Sequence, residues 1–122
     1  MSGPTAKGSL WIVGGLSVVF LALSVVERRS VERGNRFHRS GELTEAAALY
    51  RRRIVEGSSS GALHYNLGTT LLRLDDLDAT EYELSLGVET PEAEVNTRAL
   101  YNLGLWNLRR ALGSRSADST RA

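Results

Sequence analysis

The chain has 122 residues, a net charge of +1 and no cysteine. That length has room for one small domain, and that charge argues against a polyanionic partner such as nucleic acid. The absence of cysteine excludes disulfides, thiolate metal sites and a cysteine nucleophile. Charge is unevenly distributed: Arg28 to Arg53 holds eight arginines against three glutamates, whereas Asp75 to Glu94 holds eight carboxylates and no basic residue.

The first predicted element is apolar. After a flank of residues 1–9, Leu10 to Val26 runs seventeen residues without a charge. At about 1.5 Å per residue a helix of this length reaches roughly 26 Å, near the lower limit for a bilayer core of about 30 Å, and a transmembrane helix over 10–26 is expected. Lys7 and the small residues of Ala22-Leu23-Ser24 also resemble a cleavable leader, but the run continues through Val25-Val26 beyond that site, which favours a retained anchor. Gly14, Ser17, Leu21 and Ser24 fall on one stripe that could pack against another membrane helix. Arg28, Arg29 and Arg33 follow the run and would sit at the lipid headgroups, and the positive-inside tendency then puts the C-terminal part in the cytoplasm, with the periplasm as the alternative. The expected location is an integral, single-pass protein of a bacterial inner membrane.

Beyond the apolar run the chain repeats itself. Tyr-Asn-Leu-Gly occurs at 65–68 and again at 101–104, 36 positions apart, and Gly34 precedes Gly68 by 34. Alignment on the glycines pairs Phe37 with Leu71, Gly41 with Asp75, Ala46 with Thr80, Tyr50 with Leu84, and Ile54 with Val88. Leu43, Ala46, Ala47, Tyr50 and Ile54 recur at helical spacing, and Gly57-Ser58-Ser59-Ser60-Gly61 supplies a stop and a loop. Asp75-Asp76 provides a turn and an N-cap for a helix over 77–88, and Thr90-Pro91-Glu92 starts a last helix. With no proline between them, the apolar helix is expected to run on into the helix ending near Ser40.

A period of about 34 residues built from two helices resembles the tetratricopeptide repeat. Gly34 and Ala46 match the small positions of that family, and Phe37 and Tyr50 match the aromatics that fill its interhelical gap. Arg33 and Arg53 depart from it, standing where the family prefers Leu and Ala, and Thr80 replaces Ala. The resemblance implies an all-α fold: a first unit over 27–60, a second over 61–94, a capping helix over 95–112 and a disordered tail over 113–122. An array of about two and a half repeats is short for independent stability, which suggests support from another protein.

Arg39, Arg73 and Arg109 occupy equivalent positions of successive first helices, where their guanidinium groups could receive an acidic segment or a carboxylate. The resemblance adds Asn35, Asn66 and Arg98, which align with positions that clamp a peptide carboxylate in some family members; Val31 and Asn102 replace the remaining basic members of that clamp. Tyr65 and Tyr101 are taken with the same partner-binding face. Each of these also has a plain reading as a solvated edge or a packing residue, and the acidic block reads equally as a solvated face. His38 and His64 lack the spacing of a metal site and read as ordinary groove or surface residues. Neither an enzymatic activity nor a cofactor or metal is expected.

The sequence reading is therefore a membrane-anchored, non-catalytic scaffold, an accessory subunit of a larger membrane complex of respiratory, photosynthetic or secretion type. Its partners would be other protein subunits and bilayer lipids, with no nucleic acid. The alternative is a membrane-bound assembly or quality-control factor that binds client segments transiently.

Overall fold

The structure, a computed structural model, describes residues 7–119, with side chains placed for 15–26 and 28–116. Among the described residues there are five α-helices and no strand: α1 (Lys7–Ser40), α2 (Leu43–Val55), α3 (Gly61–Arg73), α4 (Leu77–Val88) and α5 (Ala93–Ser119). The all-α class expected from the pattern is what is observed.

Each helix ends for a visible local reason. Gly57, at φ 98°, closes α2: its N–H donates to the Ile54 carbonyl at 3.1 Å and that of Ser58 to the Arg53 carbonyl at 3.0 Å, the paired bonds of a Schellman motif. Asp75, at φ 61°, closes α3 in the same way, with the Asp75 and Asp76 amides donating to Leu72 and Leu71 at 3.3 and 3.0 Å. A short acidic side chain tolerates the left-handed conformation that glycine would supply at less cost. Asp76 then caps α4 by accepting from Ala79 N at 3.4 Å, and Ser60 caps α3 by accepting from Leu63 N at 3.2 Å.

The helices form successive antiparallel hairpins in which close approach is set by glycine. A Cβ added at Gly34 would meet the Tyr50 ring at 2.6 Å, and one at Gly68 would meet Leu84 Cγ at 2.8 Å and its backbone N at 3.0 Å. Along α3 and α4 the facing pairs are Gly61 with Thr90, Tyr65 with Gly87 and Gly68 with Leu84, so the contact runs backward on one helix as it runs forward on the other. Ala46, Ala47, Tyr50, Leu63, Leu67 and Leu71 form the core, with Val31, Phe37, Ile54 and Ala79 packed against it. The equivalent residues Ala46 and Thr80 are both fully buried, and Thr80 satisfies its hydroxyl by donating to the Asp76 carbonyl at 2.6 Å. Each helix packs on its chain neighbours, α3 also meets α1 and α5, and among the described residues α1 and α5 do not touch.

Two expectations change. No helix of the described residues is long and apolar enough to cross a membrane, which overturns the transmembrane span over 10–26. The uncharged run stands at the lower end of the roughly 17–25 residues of a spanning helix. α1 carries the run directly into Arg28, Arg29 and Glu32. The single-pass inner-membrane location, on either side, falls with it. So do the membrane roles of Gly14, Ser17, Leu21 and Ser24 and the headgroup role of Arg28, Arg29 and Arg33. Ser24 instead donates to its own helix at the Phe20 carbonyl, 2.9 Å away, and the Arg33 guanidinium lies 5.6 Å from the Phe37 ring centre. The second change is at the other end: α5 passes through Gly113 and continues to Ser119, into the stretch expected to be a tail. Residues 1–6 and 120–122 lie outside the described residues.

Gly68→Ala and Gly104→Ala should shift stability in opposite directions. At Gly68 the added methyl is driven against Leu84 backbone and side chain, an overpacking cost of about 1–3 kcal/mol. At Gly104 nothing lies within 4 Å, and the change should stabilise by about 0.5–1 kcal/mol through helix propensity. Urea denaturation midpoints check both.

Candidate functional site

The first helices of the hairpins, α1, α3 and α5, are joined by two sets of polar bonds, each repeated one hairpin further on. Arg73 Nη1 donates to the His38 carbonyl at 2.7 Å, and Arg109 Nη1 donates to the Leu72 carbonyl at 2.6 Å. Asn66 Nδ2 donates to Asn35 Oδ1 at 3.2 Å, and Asn102 Nδ2 donates to Thr69 Oγ1 at 2.9 Å. The acceptors correspond by the 34-residue offset and the donors by the 36-residue offset. His38 and Leu72 stand in the last turns of α1 and α3, where their carbonyls accept long capping bonds from Gly41 N at 3.4 Å and Asp75 N at 3.3 Å, and the guanidinium adds a shorter, charge-assisted bond to each. Two of the three arginines read from the sequence as a binding row are therefore occupied in joining one hairpin to the next.

Arg39 is different. It corresponds to Arg73 and Arg109, but it makes no hydrogen bond or ion pair among the described residues. It borders an open groove of about 200 Å³ lined by Asn35, His38, Arg39, Tyr50, Tyr65, Asn66 and Thr69. A shallower recess beside it is lined by Glu32, Asn35, Arg36 and Arg39. Inside the groove the polar groups are fixed by one another. Tyr50 donates its hydroxyl to Asn35 Oδ1 at 2.6 Å, so that this oxygen serves both Tyr50 and Asn66. Burial pushes the Tyr50 hydroxyl up to about 12, against the pull of the Arg39 charge, so it is a donor throughout the physiological range.

His38 forms the floor on the α1 side. Thr70 donates to the Asn66 carbonyl at 2.7 Å, so at 2.8 Å from His38 Nδ1 its oxygen is the acceptor and Nδ1 carries the proton. Burial, then the charges of Arg73 and Arg39, hold His38 below its ordinary value.

The remaining expected residues lie elsewhere. Arg98 pairs with Glu94 on its own helix at 2.6 Å, and Tyr101 is 75 % exposed on the outer side of α5. The acidic block is partly answered within the chain, Asp76 by Arg51 at 4.0 Å and Glu81 by Arg110 at 3.7 Å. The structure thus brings Asn35, Arg39, Tyr65 and Asn66 to one groove, and puts Arg73 and Arg109 to use between hairpins.

A second cluster was not visible in the sequence. His64, 7 % exposed, meets Glu83 Oε2 through Nδ1 at 2.7 Å and Ser59 Oγ through Nε2 at 3.0 Å. The carboxylate only accepts, so Nδ1 is protonated, and the imidazole fastens the loop before α3 to α4. Glu83 is 19 residues from His64, and only the antiparallel turn of α4 brings them together. The sequence reading, which took both histidines as ordinary groove or surface residues, missed this pair. No group of His, Asp and Glu among the described residues could hold a metal.

No family model, no curated protein and no solved structure matches this chain.

Two outcomes follow for stability. Arg73→Ala and Arg109→Ala should each lower it by about 1–2 kcal/mol, the order of a charge-assisted bond to a carbonyl, while Arg39→Ala leaves the urea midpoint unchanged. Stability should also fall on acidification. The unfolded chain takes up the His38 proton first, near the ordinary value of 6.5, and the fold loses stability as pH drops from there to the depressed folded value. His38→Asn should flatten that part of the pH profile.

Proposed function

We propose that the chain is a non-catalytic helical-repeat scaffold of tetratricopeptide type that holds an acidic segment of a protein partner in the groove between α1 and α3. The observation that carries this reading is Arg39. Its two equivalents are spent on carbonyls, whereas its own guanidinium stands free beside Arg36 at a groove already floored by fixed donors and an aromatic ring. An extended acidic segment supplies the carboxylate that a free guanidinium fork suits. Tyr65 offers apolar surface to the segment's side chains, and Thr69 and Asn66 offer polar contacts to its backbone.

The repeat resemblance is supported by equivalences of position and contact together. Gly34 with Tyr50 repeats as Gly68 with Leu84, and the positive φ of Gly41 repeats at Asp75. An accessory subunit that stays with a larger assembly fits a short array of this kind better than a catalyst does. The groove is small and open, unlike the enclosed apolar cavities that suit small-molecule substrates.

A fluorescein-labelled glutamate-rich decapeptide, titrated by anisotropy at low salt, tests the groove. Binding should weaken at least about tenfold in Arg39→Glu, should weaken with added salt, and should be absent for a lysine-rich decapeptide. Equal binding by Arg39→Glu, or no binding at all, would remove the groove from the proposal.

A further inference from the structure

The loop between α2 and α3 carries three serines in a row, and each has a different occupation. Ser58 accepts from Arg53 Nη2 at 3.0 Å, and Ser60 caps α3 by accepting from Leu63 N at 3.2 Å. Ser59 Oγ lies 3.0 Å from His64 Nε2. Glu83, at 2.7 Å, keeps the proton of that imidazole on Nδ1, so Nε2 presents a lone pair and the Ser59 hydroxyl is the donor. The order is nucleophile, base and orienting carboxylate, and both bonds fall within the reach of about 2.6–3.2 Å that activates a hydroxyl. His64 is 7 % exposed and the Glu83 side chain 15 %, whereas Ser59 is open to solvent. The base and its carboxylate are sheltered while the hydroxyl they serve can meet a solute.

The surroundings suit acyl chemistry. Ser59 stands two residues before α3, whose first N–H groups, at Gly61 and Ala62, make no hydrogen bond among the described residues. Free N–H groups at a helix N-terminus receive developing negative charge. An open recess of about 250 Å³ runs from Ser59 and His64 to Leu86, Glu89 and Pro91. It closes at Gly61, where a Cβ would overlap Thr90. Leu86 and Pro91 give apolar surface to a short acyl chain. Glu89 brings a negative charge, and among the described residues no arginine or lysine lines the recess, which disfavours an anionic donor.

We propose that Ser59 is a covalent acylation site, taking an acyl group from a neutral, short-chain activated ester. His64 Nε2 takes the hydroxyl proton as Ser59 Oγ bonds to the ester carbonyl carbon. The carbonyl oxygen becomes an oxyanion, for which the Gly61 and Ala62 N–H groups are the donors. When the carbonyl re-forms, the bond to the leaving oxygen breaks, and that oxygen departs with the electron pair and takes the proton from His64. Glu83 is a positioning residue that keeps Nδ1 protonated and stabilises the imidazolium. The recess shares no lining residue with the groove between α1 and α3, and one acyl group placed on Ser59 modifies the scaffold without turnover. The site therefore stands independently of the partner-binding reading.

A phosphonofluoridate tests the hydroxyl directly, because Ser59 Oγ attacks its phosphorus in the same way, fluoride leaves, and the adduct stays on the chain. The full chain is labelled near neutral pH and the adduct is located by peptide mass spectrometry. Ser59 should be labelled at least about tenfold faster than Ser58 or Ser60, which share its loop but not its imidazole, and Ser59→Ala should lose the adduct. Glu83→Gln keeps the size of the side chain and an acceptor for Nδ1. It should slow labelling at least about tenfold with unchanged circular dichroism, and slow the Ser59-dependent release of p-nitrophenolate from p-nitrophenyl acetate to the same extent. No adduct, equal labelling of the three serines, or native rates in Glu83→Gln would each overturn the proposal.

Discussion

Two helices can approach closely only where one of them gives up its side chain, and that exchange of a glycine for a large neighbour sets the spacing of the hairpins in this molecule. Gly34 admits the Tyr50 ring and Gly68 admits Leu84. A glycine inside a helix costs about 1 kcal/mol against alanine. Full burial of the facing side chain offsets it, by about 1.5–3 kcal/mol for a residue of that size. The remaining core positions follow from the spacing. Ala46 and Thr80 must be small because the helices are close, and both are fully buried.

The polar bonds between successive first helices build on that packing. Packing fixes the helices within a hairpin, while Arg73, Arg109, Asn66 and Asn102 bind each hairpin to the one before it. The series has a sequence-coded end at α5. Leu105 stands there in place of Asn35 and Thr69 and offers no side-chain acceptor. The helix also continues to Ser119, so the Leu108 carbonyl remains inside it and has no need of an arginine. At the same register of α1, Arg39 makes no hydrogen bond or ion pair among the described residues. One residue type at one register thus acts as a fastener in two hairpins and stands free in the first, and the proposed function rests on that difference.

The hairpins were largely legible in the sequence, because their determinants are local. Glycine spacing, the positive-φ turn at Asp75, the Asp76 cap and the stop at Gly57 are all read within a few residues of where they act. What was not legible depends on direction and distance. Spacing placed Arg73 and Arg109 correctly on their helices, but it does not show that their guanidinium groups turn toward a carbonyl rather than a partner. The His64–Glu83 pair needs the α3–α4 register before its two members are neighbours. Arg98 and Tyr101 sit on α5, a helix whose facing could not be known until Ala99 and Trp106 had settled which side is buried. The apolar run misled for another reason. It is one part of a longer helix that also carries Arg28, Arg29 and Glu32, and no helix of the described residues is long and apolar enough to span.

A double-mutant cycle between Gly68 and Leu84 tests the small-to-large exchange most directly. Gly68→Ala, Leu84→Ala and the double variant are compared by urea denaturation. If the glycine exists to admit Leu84, the clash in Gly68→Ala should be relieved once position 84 is small, and the double variant should be more stable than the sum of the two single losses by more than about 1 kcal/mol. Losses that simply add, to within about 0.3–0.5 kcal/mol, would contradict the close approach on which the hairpins are built.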